Sequence, residues 1–511
     1  MKKPNIVFVL ADDHGAWATG CYGNKEVKTP TLDRLAREGI KYNNFYCASP
    51  VCSPARASIL TGKIPSQHGV HDWIGGGNIN IDDHLKMDLK IKRCYPYFDE
   101  EEMKKYVGDR SYDEIGEDET IPFSEFSGYT KYLKRENTPF SYLDGVLSYT
   151  ELLKDNGYKC GLSGKWHLGN SAKPQKGFEF WKVLSGGGTY YNYPEYIVDG
   201  LPIRKEEYVS DVITDDAIEF IEDNKDTPFY IGVHYTAPHS PWAELDQKKE
   251  MWDLYEDCKF ESVPIEKPHP NQAIHRPIGK TKELREQFLR GYYSSLSGMD
   301  EGIDKILKKL EELNLSDNTI IIYTSDNGMN LGHHGIWGKG NGTYPMNMFD
   351  TSVKVPTLMK VPGIEGIVSD DLLSHYDIMP TLLDYLNIDL PNKEIMPGKS
   401  FAELLKGNKL KEDHNIVIYD EYGPVRMIRS KEWKYVHRYP EGPHELFDMI
   451  NDPNEVNNLI NDPSQVDRII ELRKGLKEWF EKHVVSCKDG SVLPVTGEGQ
   501  FDLAEKGGES F

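Results

Sequence analysis

Two apolar runs far apart in this chain end in the same way. Residues 5–11 read NIVFVLA and break at Asp12-Asp13; residues 319–325 read TIIIYTS and break at Asp326-Asn327. Both are β-branched and apolar through their middles, the pattern of a strand covered by helices on both faces. Ligand sites in open α/β sheets lie beyond the carboxyl ends of the strands. Two such strands in one sheet would bring three carboxylates and one amide oxygen to a common edge.

The chain between and after these runs alternates in the same sense. PTLDRLARE (30–38) has helical spacing with Gly39 as its stop, and residues 145–156, 211–222 and 287–314 carry helical periodicity. PFYIGVHY from Pro228 and VKVPTLMKVP supply further strands. The expected fold is α/β: a large mixed, mostly parallel sheet flanked by helices over residues 1–400. Insertions are expected at about 80–140 and 186–200. Beyond residue 400, HNIVIYDEYG, VRMIRSKEWKYVHR and ELFDM are expected to form a small antiparallel sheet, followed by a helix near 466–483. Residues 401–511 then make a small α+β domain whose last 25 residues are expected to be loosely held.

Asp12, Asp13, Asp326 and Asn327 offer only oxygen donors, which suits a hard divalent cation, Ca²⁺ before Mg²⁺. Without a cation such a cluster repels itself. The bland alternative is that each pair caps its strand and meets solvent.

A second feature is CASPVCSPARASILTG, residues 47–62. Pro54 suits a first helical turn, so Cys52 is expected near a helix N-terminus, where the local field lowers a thiol pKa. Arg56 lies four residues on, on the same helical face. The alternative is an inert buried cysteine with Arg56 in an ion pair. Seven cysteines, odd in number and without a Cys-x-x-Cys pair, suggest neither a disulfide scaffold nor a structural zinc site.

A net charge of −22 argues against nucleic acid as partner and against long polyanions, while leaving room for a small anion in a locally positive pocket. No run of apolar residues is long enough for a membrane-spanning helix. Lys2 and Lys3 precede an apolar run too short for a signal peptide, so a cytoplasmic protein is expected.

Cys-Ser-Pro-Ala-Arg followed by Thr61-Gly62 resembles the signature of the formylglycine-dependent sulfatases, within the alkaline-phosphatase-like superfamily. NIVFVLADDHG, GKWHLG from Gly164, APHSP from Ala237 and TSDNGMNLGHHGIWGKG from Thr324 resemble further segments of that family, in family order. The resemblance implies that Cys52 is oxidised to Cα-formylglycine. It implies that Asp12, Asp13, Asp326 and Asn327 hold the cation and that Arg56 meets the modified side chain. Lys165 and Lys339 would grip sulfate. His239 would protonate the leaving oxygen. His167 would deprotonate the second hydroxyl of a sulfated diol so that sulfate is expelled. His234 would support the site from behind; His333 and His334 receive no step.

Ser53 and Ala55 depart from the commonest family residues, and with a reducing compartment the implied maturase is an anaerobic radical-type one. The expected substrate is a small sulfated mono- or oligosaccharide, attacked from its end. Trp73, with His68, His71 and Asp72, and the cluster Tyr190, Tyr191 and Tyr193 are candidates for holding it. The alternatives are an arylsulfatase, a phosphate or phosphonate monoester hydrolase, and a non-catalytic sugar- or sulfate-binding protein.

Overall fold

The structure is a computed structural model that describes residues 3–95, 100–125, 138–274, 277–493, 495 and 499–501. Parts of the expected insertion at 80–140, namely 96–99 and 126–137, lie outside the described residues, as does most of the terminal stretch.

The main sheet has eight strands. From one edge to the other they are Ile367–Ser374, Ile40–Tyr46, Thr357–Lys360, Thr319–Ser325, Asn5–Ala11, Phe229–His234, Lys159–Gly164 and Phe180–Val183. Only Thr357–Lys360 runs against its neighbours. The two strands singled out from the sequence are adjacent and parallel, with Ala11 opposite Ser325. Their shared register puts Asp12 beside Asp326.

Along Asn5–Ala11, Ile6, Phe8 and Leu10 enter one hydrophobic cluster, while Val7, Val9 and Ala11 enter the other. Period-two alternation therefore feeds a core on each face, which explains why the strand has no polar side. The helices Val209–Asp223 and Lys282–Glu312 cover the second of these faces. Within it, Ile213, Phe220, Tyr292 and Leu296 pack against the strands.

The helix Cys52–Thr61 is buried along its entire length. It begins at Cys52 with Pro54 in its first turn and ends at Gly62, whose φ of 62° is left-handed and whose N–H returns to the Ser58 carbonyl.

The C-terminal part is a four-stranded antiparallel sheet, Ile416–Asp420, Val425–Arg429, Trp433–Arg438 and Glu445–Asp448. The helix Val466–His483 packs on it through Leu472, Leu476 and Phe480. This sheet also shares apolar contacts with Ala48 and Ile64, which flank the Cys52 helix.

Within the last 25 residues, 499–501 are held in place. Gln500 forms a parallel bridge with Ile74 and is 1% exposed. Among the described residues no helix is long and apolar enough to cross a membrane.

Candidate active site

Four neighbouring strands deliver their following residues to one place. Asn5–Ala11 leads into Asp12 and Asp13, and Thr319–Ser325 into Asp326 and Asn327. Lys159–Gly164 leads into Lys165 and His167, and Phe229–His234 into the turn that carries His239. Cys52 arrives on its own helix.

The backbone is unusual here: Asp13 has φ of 67° and His167 φ of 54°. Left-handed geometry at side chains larger than glycine costs free energy and persists where surrounding contacts fix it. At Asp13 those contacts are its N–H donated to Asp326 Oδ1 (3.1 Å) and the Tyr292 hydroxyl donated to its carbonyl (2.7 Å).

The charges interlock. Arg56 Nε and Nη2 lie 2.9 and 2.8 Å from Asp326 Oδ2, and Nη1 donates to the Lys165 carbonyl at 3.0 Å. Lys165 Nζ donates to Asp12 Oδ2. Lys339 Nζ lies 2.6 Å from Asp13 Oδ1 and 2.6 Å from Cys52 Sγ, and the thiol lies 3.5 Å from Asp12 Oδ1. Asn327 Nδ2 donates to Asp13 Oδ1 at 2.7 Å. Three carboxylates and three cationic groups thus share one buried volume, which is how charges survive desolvation. Burial works against the Lys339 ammonium, but Asp13 and the nearby Cys52, Asp12 and Asp326 outweigh it and raise its pKa.

One expectation needs correction. The helix N-terminus does not make Cys52 a ready thiolate: burial pushes the thiol up to about 12, against the opposite pull of Lys165 and Lys339. The Arg56 guanidinium meets Asp326 and the Lys165 carbonyl. Cys47 and Cys52 are both free thiols.

The donor set fits a divalent cation. Ligating atoms of Asp12, Asp13 and Cys52 lie within 4.8 Å of one another, and all three residues are buried. Asn327 Oδ1 is buried and accepts no hydrogen bond among the described residues. The two carboxylates and the unpaired amide oxygen are hard oxygen donors of the kind that hold a divalent cation, beside the Cys52 sulfur.

The histidines have defined proton positions. His167 Nε2 lies 3.0 Å from the Ile74 carbonyl, which can only accept, so Nε2 carries the hydrogen. Its Nδ1 is buried and has no hydrogen-bond partner among the described residues. Burial and Lys165 hold the His167 pKa well below the usual range, so the ring is neutral. His239 Nδ1 donates to the Ser240 carbonyl at 2.8 Å, and its Nε2 lies 3.7 Å from Asp13 Oδ2. His234 Nδ1 lies 3.2 Å from the Lys165 carbonyl, behind the site. His333 packs on Trp17 and His334 stacks on Phe349 at 3.7 Å, both away from the thiol.

A cavity of about 900 Å³ opens over Cys52, Lys165, His167, His239 and Lys339. Its walls include Trp73, Tyr190 and Trp242, together with His84, Glu195 and Arg204. His71 and Asp72 do not line it. Asp72 accepts the N–H groups of Trp73 and Gly499, so it is spent on the loop's own shape. His68 pairs with Ser58. Tyr191 is buried and donates to the His239 carbonyl at 2.8 Å, while Tyr193 packs against the Arg204 guanidinium.

Several supporting residues were not found by reading the sequence. Ser53 Oγ accepts the Ile74 N–H and donates to the His167 carbonyl, both at 3.0 Å. Glu195 binds His84 (2.6 Å), Arg204 (2.8 Å) and Ser185. Nothing in the local pattern marks Glu195, since its partners come from three separate segments.

Residues 4–83 and 135–388 match the protein family described as Sulfatase, and residues 332–482 match the C-terminal part of N-sulphoglucosamine sulphohydrolase. The chain is similar to an N-acetylglucosamine-6-O-sulfatase of Bacteroides thetaiotaomicron, 26% identical over 88% of this chain and 81% of the relative. It is also similar to an ulvan-active sulfatase of Formosa agariphila, 29% identical over 88% of this chain and 76% of the relative. Among solved structures, one in complex with its substrate D-glucosamine-2-N,6-O-disulfate shares the fold. Its TM-score is 0.71 at 24% identity, covering 94% of this chain and 98% of the other.

Proposed function

The chain belongs to the formylglycine-dependent sulfatase family and is a sulfuric-ester hydrolase, and we propose that it removes sulfate from the end of a small sulfated carbohydrate. The observation that carries this reading is the floor of the cavity, where Lys165, Lys339, His167 and His239 surround Cys52. A sulfate monoester spreads one negative charge over three oxygens, and two ammonium groups at fixed positions match it. The walls support a sugar: they combine the aromatic side chains of Trp73, Tyr190 and Trp242 with the polar groups of Glu195 and Arg204. The relatives named for sulfated sugars are consistent with this choice.

Asp12, Asp13, Asp326 and Asn327 would hold the cation, Ca²⁺ by preference, which supplies positive charge where oxygens gain negative charge. Cys52, oxidised to Cα-formylglycine by a maturase, supplies as its hydrate a hydroxyl that attacks sulfur and a second that allows sulfate to leave.

The remaining work belongs to the chain's own groups. Lys165 and Lys339 draw in and orient the sulfate. In its protonated form His239 keeps Nδ1–H on the Ser240 carbonyl and carries on Nε2 the proton that it gives to the departing alcohol oxygen. With its hydrogen on Nε2, His167 offers the Nδ1 lone pair to accept a proton from the residue at position 52.

The test is a sulfate-release screen over defined sulfated mono- and oligosaccharides, using enzyme co-produced with a maturase, beside the phosphate esters of the same alcohols. Release from one sugar linkage well above an aryl sulfate is the expected result. Faster phosphate release would replace sulfatase with phosphatase chemistry, and release from within long chains would overturn the terminal mode of attack.

A further inference from the structure

The carbonyl that fixes the His167 proton belongs to a loop held by the far end of the chain. Gln500 donates its backbone N–H to the Trp73 carbonyl (2.8 Å) and accepts the Gly75 N–H (2.9 Å), which brackets Ile74 on both sides. Its side chain spans the same loop. Oε1 accepts the N–H groups of His71 (2.6 Å) and Asp72 (3.3 Å), and Nε2 donates to the Gly69 carbonyl (2.9 Å). The adjoining Gly499 N–H donates to Asp72 Oδ2 at 3.0 Å. The primary amide meets two backbone donors through Oε1 and one backbone acceptor through Nε2; a carboxylate has no donor, and a thioether has no donor and only a weak acceptor.

Ile74 in turn touches the reaction centre twice. Its carbonyl holds His167 Nε2 at 3.0 Å, and its N–H is fixed by Ser53, the residue directly after Cys52. Both peptide groups flanking Ile74 are pinned, and the one between Ile74 and Gly75, whose N–H goes to Gln500, cannot rotate without releasing the imidazole. If that carbonyl turned away, the ring could carry its hydrogen on Nδ1 and would then present no lone pair there.

We propose that Gln500 is a positioning residue for His167: by locking the loop Gly69–Gly75 it holds the Ile74 carbonyl on Nε2 and keeps Nδ1 as the proton acceptor. The inference rests on the role given to His167 under the proposed function.

Gln500→Met has the same length and no hydrogen bonds, and it is tested with 4-nitrophenyl sulfate on matured, cation-loaded enzyme. It should lower kcat about tenfold and leave KM within about twofold, a fraction of what a general base contributes. In a His167→Ala background the same substitution should change kcat by less than about twofold, because the group it positions is gone. Equal losses in both backgrounds, or no loss in the parent, would overturn the assignment. Hydrogen exchange of the peptide covering residues 69–76 reads the strap without turnover. Gln500→Met should speed exchange there and leave the strand Asn5–Ala11 unchanged, and unaltered exchange at 69–76 would overturn the strap. Absence of any sulfate-ester turnover by the parent enzyme would instead defeat the proposed function, with the exchange result still deciding whether Gln500 holds the loop.

Discussion

Arg56 sets two guanidinium nitrogens against a single oxygen of Asp326, at 2.9 and 2.8 Å, with both side chains almost wholly shielded from solvent. The pair joins the Cys52 helix to the strand that carries half of the candidate cation site. Removing one member of a buried pair strands the other charge, which costs about 3–5 kcal/mol. Arg56→Met should therefore lower unfolding stability by that order as well as abolish turnover. Arg56→Lys keeps the charge but not the fork, so it should recover part of the stability and little of the activity. Denaturant unfolding followed by circular dichroism distinguishes the two variants. Equal stability of Arg56→Met and parent would show that the pair is not a structural tie.

Cation removal gives a second expectation. Chelation should abolish sulfate release, and Ca²⁺ or Mg²⁺ should restore it. A ligand that binds only the folded state at about 100 times its Kd adds about 2.7 kcal/mol, so the parent enzyme should melt several degrees higher with the cation than without. Asn327→Leu removes the unpaired amide oxygen and should lose most of that increment. A cation-induced rise in Tm that is the same in Asn327→Leu would remove Asn327 from the ligand set.

How much of this was readable in the sequence depends on where each partner comes from. Asp12-Asp13 and Asp326-Asn327 were legible because each pair directly follows an apolar strand, and strand ends carry positional meaning. The start of the helix at Cys52 was legible from Pro54. The state of the Cys52 thiol was not, since helix position is local whereas desolvation depends on everything packed around residue 52. Asp72 looked like a sugar ligand by residue type, yet its oxygens go to Trp73 and Gly499, the latter far away in the chain. Tyr191 was noticed as an aromatic, but its contact with the His239 carbonyl depends on a turn that only the fold supplies.

The glycines at 186–188 offer a paired test. A Cβ on Gly187 would lie 2.2 Å from His167 Nε2, whereas one on Gly188 would meet nothing within 4 Å. Gly187→Ala must displace the imidazole or the loop, and it should lower kcat by more than about tenfold, with a stability cost of about 1–3 kcal/mol as for other overpacked sites. Gly188→Ala should leave kcat and Tm unchanged. Equal kinetics for the two variants would show that the loop does not press on His167.

Asp300 supplies a pH dependence away from the reaction centre. It is 2% exposed, and its two carboxylate oxygens accept the N–H groups of Thr31 and Leu32, at 2.9 Å each, at the start of the helix Pro30–Glu38. Burial raises its pKa from 3.8 to about 6, against the lowering effect of those two N–H groups. The folded state thus holds the proton more tightly than the unfolded chain. Its contribution is fully present below pH 3.8 and is lost as pH rises through about 6, by about 3 kcal/mol in total from 1.36 kcal/mol per unit. Asp300→Asn cannot ionise, so it should show no such loss. Urea unfolding of the parent and Asp300→Asn across the range from about pH 4 to about pH 7 isolates this residue, because other carboxylates cancel in the difference. The gap should move in favour of the variant as pH rises. A gap that moves the opposite way would mean that the two N–H groups outweigh burial and that Asp300 folds as a stabilised carboxylate.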